Sequence, residues 1–124
     1  MNTHKDLEVW KRGIELVNFV YKITQKFPRE ELYGLTNQIR RASVSVPSNI
    51  AEGSARHSTK ELIHFLYISL GSLSELETQM IIAHNLEYLH SEDLKIFEEK
   101  TTVLIRMLSA LIKTLKNGER NSDK

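Results

Sequence analysis

Cysteine is absent from this chain, which excludes disulfides and thiolate metal or catalytic sites and suits a cytoplasmic protein. Proline occurs twice and glycine five times, the glycines scattered singly, so there is no glycine-rich loop to cradle a phosphate. No apolar run approaches the roughly 20 residues that a membrane span requires. The opening residues Met1 to Asp6 lead into no apolar segment, so neither a membrane association nor a secretory signal is expected. A large excess of charge of one sign is lacking too: the net charge is +1. What is present, over 124 residues, is 40% hydrophobic and 27% charged side chains, enough for one globular domain with its own core.

The apolar residues recur with helical period, and no stretch alternates as a strand would. A first helix is expected over about 6–27, with Asp6 placed to cap its first turn. It carries two adjacent stripes, Leu7, Trp10, Ile14, Val17, Tyr21 and Val9, Gly13, Leu16, Val20, Ile23, Phe27. Pro28 disfavours helical geometry at Phe27 and ends the element. A second helix, about 35–53, loses apolar bulk along its stripe of Leu35, Ile39, Ala42, Val46, Asn49 and Gly53. Pro47 allows two readings there, a kinked continuous helix or the opening of a separate one.

Ser58 and Glu61 form a capping box ahead of a third helix, about 59–84. Its seam of Leu62, Leu66, Ser69, Leu73, Leu76, Met80 and Ala83 alternates steps of four and three, the spacing of antiparallel bundles. A fourth helix, about 92–117, repeats it with Leu94, Phe97, Thr101, Leu104, Leu108, Leu111 and Leu115, and Asn117-Gly118 is placed to close it. Residues 119–124 are expected to be a disordered tail. These elements predict an all-α, antiparallel up-down four-helix bundle over residues 1–118. The surplus apolar stripes on the first and third helices predict self-association.

Catalytic and metal-binding constellations fail on spacing. The pairs Glu61/His64 and Glu87/His90 each have the i, i+3 form of a di-iron half-site, yet they lie 26 residues apart, about 39 Å along one helix. The other histidines, His4, His57 and His84, fall near helix ends without nucleophile partners. No catalytic residue, metal, cofactor or small-molecule substrate is expected. Charge is distributed unevenly instead. Residues 75–99 hold seven acids against Lys95, whereas 38–60 hold Arg40, Arg41, Arg56 and Lys60 against Glu52. Two readings of these cations are open: an arginine paired with a bundle acid such as Glu75 or Glu52, or a phosphate-contacting surface. Asn49 and Glu52 fall in or beside a seam, where polar groups fix register, and a structural role is expected for both.

The block Gln38-Ile39-Arg40-Arg41-Ala42, followed by Ser45-Val46-Pro47-Ser48-Asn49-Ile50-Ala51-Glu52-Gly53, resembles the signature of a bacterial family. Its members are four-helix-bundle proteins encoded within intervening sequences of large-subunit ribosomal RNA genes. Asp6-Leu7-x-Val9-Trp10 and Gly71-Ser72-Leu73-x-Glu75-Leu76-Glu77 carry the same resemblance. It implies a closed bundle that assembles into a ring, a homopentamer in known members. It also implies kinship with the accessory protein of diversity-generating retroelements, which binds nucleic acid and a reverse transcriptase. The expectation is therefore a non-enzymatic oligomeric scaffold of unassigned process, with weak, sequence-tolerant binding of RNA or DNA. The alternative is a ring that engages another protein, such as a reverse transcriptase, with no nucleic-acid contact.

Overall fold

A computed structural model describes residue 4 and residues 7–122 of the chain, with side chains through residue 119. Among the described residues there are four α-helices and no strand: α1 (Glu8–Thr24), α2 (Leu35–Ser54), α3 (Thr59–Asn85) and α4 (Ser91–Ser122), with a short 3-10 turn at Arg29–Glu31. Each helix packs on the next in sequence, and α4 closes back on α1 without diagonal contacts. That connectivity, with short joins, is a four-helix bundle. No helix among the described residues is long and apolar enough to cross a membrane.

On α1 the buried stripe is Val9, Gly13, Leu16, Val20 and Ile23. The other stripe lies to the side, with Ile14 and Tyr21 exposed. The helix stops at Thr24, before Phe27, and the expected Asp6 cap lies outside the described residues. Phe27 turns back into the core, where its ring meets Tyr88 at 5.8 Å between centroids.

α2 runs unbroken through Pro47, which decides between the two readings of that residue. The ring needs room that a neighbouring side chain would take. Gly13 of α1 supplies it: a Cβ there would stand 3.2 Å from the Pro47 Cβ. On the opposite side small hydroxyls bring α3 close. Ser69 Oγ donates to the Val46 carbonyl at 2.9 Å, and the Ser45 and Ser72 hydroxyls pair at 2.8 Å. α2 and α3 are accordingly the most extensively packed pair.

Ser58 caps α3 by accepting the Glu61 N–H at 3.1 Å. The buried residues of α3 are Ile63, Leu66, Ser69, Leu73, Leu76, Met80 and Ala83. The expected seam therefore holds except at its first position, where Ile63 replaces Leu62. The helix ends in a Schellman turn: Glu87 takes a φ of 65°, Tyr88 N–H reaches the Ala83 carbonyl at 2.9 Å, and Glu87 N–H reaches that of His84 at 3.0 Å. In α4, Phe97, Thr101, Leu104, Leu108 and Ile112 are buried. α4 continues to Ser122, through Asn117-Gly118 and through most of the segment expected to be a disordered tail. A glycine supplies a stop only when the chain turns there, and here it keeps to the helix. Residues 123–124 lie outside the described residues.

Candidate functional site

The four cations expected to act together are divided by the structure into two groups. Arg40 and Arg41 lie in the first half of α2, whereas Arg56 follows its end and Lys60 opens α3. Fifteen residues separate Arg41 from Arg56, roughly 20 Å along the helix, beyond the ~8 Å screening length at physiological salt. They form no single surface.

Nor are the arginines equivalent. Arg40 is half-buried: its Nε–H donates to Thr24 Oγ1 at 2.9 Å and its guanidinium lies 4.6 Å from the Tyr21 ring centroid. The Thr24 hydroxyl in turn donates to the Val20 carbonyl at 2.8 Å. Arg40 thus ties α2 to α1. Arg41 is exposed and faces a groove of about 370 Å³ between α2 and α3, also lined by Ser45, Ser72, Glu75 and Gln79. Glu75 brings an opposite charge to that groove and offsets the local field of Arg41. Gln79 Oε1 is buried there with no hydrogen-bond partner among the described residues.

The two polar residues expected in or beside the seam differ in placement. Glu52 does not hold α2 against a neighbour; it is exposed and pairs with Arg56 one turn on, and Arg56 in turn lies 5.1 Å from the Phe65 ring centroid. The helical period carries position 52 past the seam, and Ile50 and Gly53 occupy the buried face instead. Asn49 is half-buried, but its Nδ2 donates within α2, to the Ser45 carbonyl at 2.8 Å and the Ser45 hydroxyl at 2.9 Å. Its link to α3 is indirect, through the Ser45–Ser72 pair. Lys60 is exposed.

A third place lies apart from the expected site residues. Between α3 and α4 lies a groove of about 350 Å³ lined by Tyr67, Ser109, Ile112, Lys113, Lys116 and Asn117. Lys116 Nζ donates to the Tyr67 hydroxyl at 2.6 Å. Its signal in the sequence is a charge run: Lys100, Arg106, Lys113 and Lys116 occur with no acid between them. The excess was hidden by the balanced total.

A half-buried carboxylate also faces this pair of helices. Burial pushes the Glu77 carboxyl of α3 above its ordinary range, and the charge of Glu98 on α4 pushes it further. No group of three or more carboxylate or imidazole ligands is placed to hold a metal ion among the described residues.

A closed up-down bundle with short connections defines a helical-bundle protein. Within that class the chain belongs to the 23S rRNA-intervening sequence protein family, which it matches over residues 5–110. The fold is also similar to the crystal structure of a protein of unknown function from the S23 ribosomal protein family of Bacteroides thetaiotaomicron VPI-5482. That likeness has a TM-score of 0.78 at 23% identity and covers 85% of this chain and 95% of the other. No curated protein matches the sequence.

Proposed function

We propose that this protein is a non-enzymatic scaffold whose bundles self-associate into a ring. The observation that carries the reading is apolar surface on α3 and at its C-cap: Ile68 is 37% exposed, Ile81 49%, Ile82 43% and Leu86 49%. Such residues scattered singly are ordinary, but Ile81, Ile82 and Leu86 fall within about one and a half turns at one end of the helix, where burying them together is favourable. Gly71 and Ser74, exposed midway along α3, leave a low surface against which another backbone fits closely. The family resemblance supports five subunits. Arg40, Arg41, Arg56 and Lys60 enter this reading as parts of the bundle and its surface, not as one phosphate-binding set.

Light scattering on the full chain tests it. The expected mass is a multiple of 14.4 kDa, five chains by resemblance, and Ile82→Glu with Leu86→Glu is expected to reduce it. A monomer at micromolar concentration would overturn the proposal.

A further inference from the structure

We propose that the α3/α4 groove at Tyr67, Lys113 and Lys116 is a binding surface for single-stranded nucleic acid. The inference is independent of the scaffold reading, since a single bundle carries the whole groove.

At 100° per residue, Arg106, Ser109, Lys113 and Lys116 fall on one face of α4, and all four are exposed. The span from Arg106 to Lys116 is about 15 Å of helix rise, long enough to meet more than one phosphate of a strand. No acid stands between Lys100 and Lys116 on α4. The carboxylates of the same region sit at its ends: Glu77 and Glu98 toward the start of α4, Glu61 and Glu119 toward the close of the bundle. The middle of the face is therefore cationic although the chain as a whole is nearly neutral.

Charge alone would suit any polyanion. Tyr67 narrows the choice. It is 46% exposed beside the two lysines. Lys116 Nζ lies 2.6 Å from its hydroxyl and 5.0 Å from its ring centroid. Those distances together place the ammonium beyond the hydroxyl end of the ring rather than over its face, so Lys116 leaves the face uncovered. The hydroxyl bond holds Lys116 in position beside the ring. An open aromatic face flanked by cations is what single strands use: bases stack on the ring while phosphates follow the positive groove. A lipid surface would call for large apolar side chains among the cations, and Ser109 and Asn117 stand there instead.

The test is fluorescence anisotropy with the full chain and a labelled oligothymidylate at low salt, followed by a salt titration. The wild type is expected to bind. Lys113→Gln with Lys116→Gln should weaken binding by about tenfold or more, and the slope of log affinity against log salt should become shallower by about 1.4 for two lost phosphate contacts. Tyr67→Ala should cost about tenfold through lost stacking, and Tyr67→Phe should keep most of the affinity. Lys113→Arg with Lys116→Arg should restore binding, and Arg41→Ala should leave it unchanged. Circular dichroism confirms that each variant is folded. The proposal is overturned by absent wild-type binding, by full binding in the lysine double variant, or by an equal loss in Arg41→Ala. Competition by oligoaspartate or by phosphatidylserine vesicles as effective as that by the oligonucleotide would equally reject it.

Discussion

Tyr88 donates its hydroxyl to Glu31 Oε2 at 3.0 Å, while Oε1 of the same carboxylate accepts the Leu35 N–H at 3.2 Å. One side chain thereby caps the start of α2 and anchors the turn between α3 and α4, 57 residues away in sequence. Gly34, the residue before α2, has no side chain with which to cap it. Glu31 reaches into the space that a Cβ at position 34 would need, since Oε1 would stand 2.8 Å from it. Glu31→Ala is expected to destabilise the bundle by about 1 kcal/mol, the usual cost of losing a cap, as measured by urea unfolding.

The same contact makes a pH prediction. The Tyr88 hydroxyl ionises above its ordinary 10.0, first because it donates to Glu31, then through burial and the charges of Glu31 and Glu30. The folded state favours the neutral phenol, so its contribution is present in full below pH 10 and is lost as the pH rises through the raised value. Thermal melts of wild type and Tyr88→Phe should therefore differ at neutral pH and converge in strong alkali. A constant gap across that range would show that the hydrogen bond is not what stabilises the turn.

Glu77 has the opposite consequence at neutral pH. Its carboxyl is raised from 4.5 by burial and by Glu98, so its protonated form is the one the fold prefers. The benefit of that proton is available below pH 4.5 and disappears as the pH climbs through the raised value, leaving a charged group at a cost at pH 7. Glu77→Gln is expected to raise the melting temperature at pH 7 and to have little effect near pH 4. Equal melting temperatures at pH 7 would count against it.

Arg40 and Arg41 are adjacent in sequence but separable in experiment. Arg40→Ala removes the bond to Thr24 and the contact with the Tyr21 ring, and should cost about 1–2 kcal/mol. Arg40→Lys should not recover it, because an ammonium lacks the planar fork that bonds and stacks at once. Arg41→Ala, on an exposed side chain, should stay within about 0.5 kcal/mol of wild type. Chemical denaturation of the three variants decides whether this distinction holds.

Two glycines should respond in opposite directions to alanine. A Cβ at Gly53 would lie 2.8 Å from the Phe65 Cβ and 3.3 Å from the Leu62 carbonyl oxygen, so Gly53→Ala must separate α2 from α3 and should cost about 1–3 kcal/mol. A Cβ at Gly71 would meet no neighbouring element within 4 Å, and Gly71→Ala should stabilise the isolated bundle by about 0.5–1 kcal/mol through helix propensity. Differential scanning calorimetry on both variants gives the comparison. If Gly71→Ala lowers oligomer mass while stabilising the fold, the α3 surface is where subunits meet.

The sequence by itself determined the helices and most of the core. Buried positions recur with the period of the helix, and that period is local information, so the seam from Leu66 to Ala83 and the run from Phe97 to Leu108 were legible without a partner. The same local logic gave the Ser58 cap. It could not tell which of two apolar stripes on α1 faces inward, because both satisfy the period; the neighbours on α2 and α4 chose the one containing Gly13 and Val20. Nor could it carry α2 through Pro47, since the room for that ring is supplied by Gly13, 34 residues earlier. Side-chain chemistry was decided only by tertiary structure. Arg40, Arg41, Arg56 and Lys60 are neighbours in a charge count, but a helix spreads them over two ends and several faces, with Thr24, Tyr21, Glu52 and Phe65 as partners. Glu31 and Tyr88 became a pair, and Tyr67 and Lys116 another, only because the antiparallel chain returns beside itself at those two levels. A contact between distant residues depends on that return, and no local period encodes it.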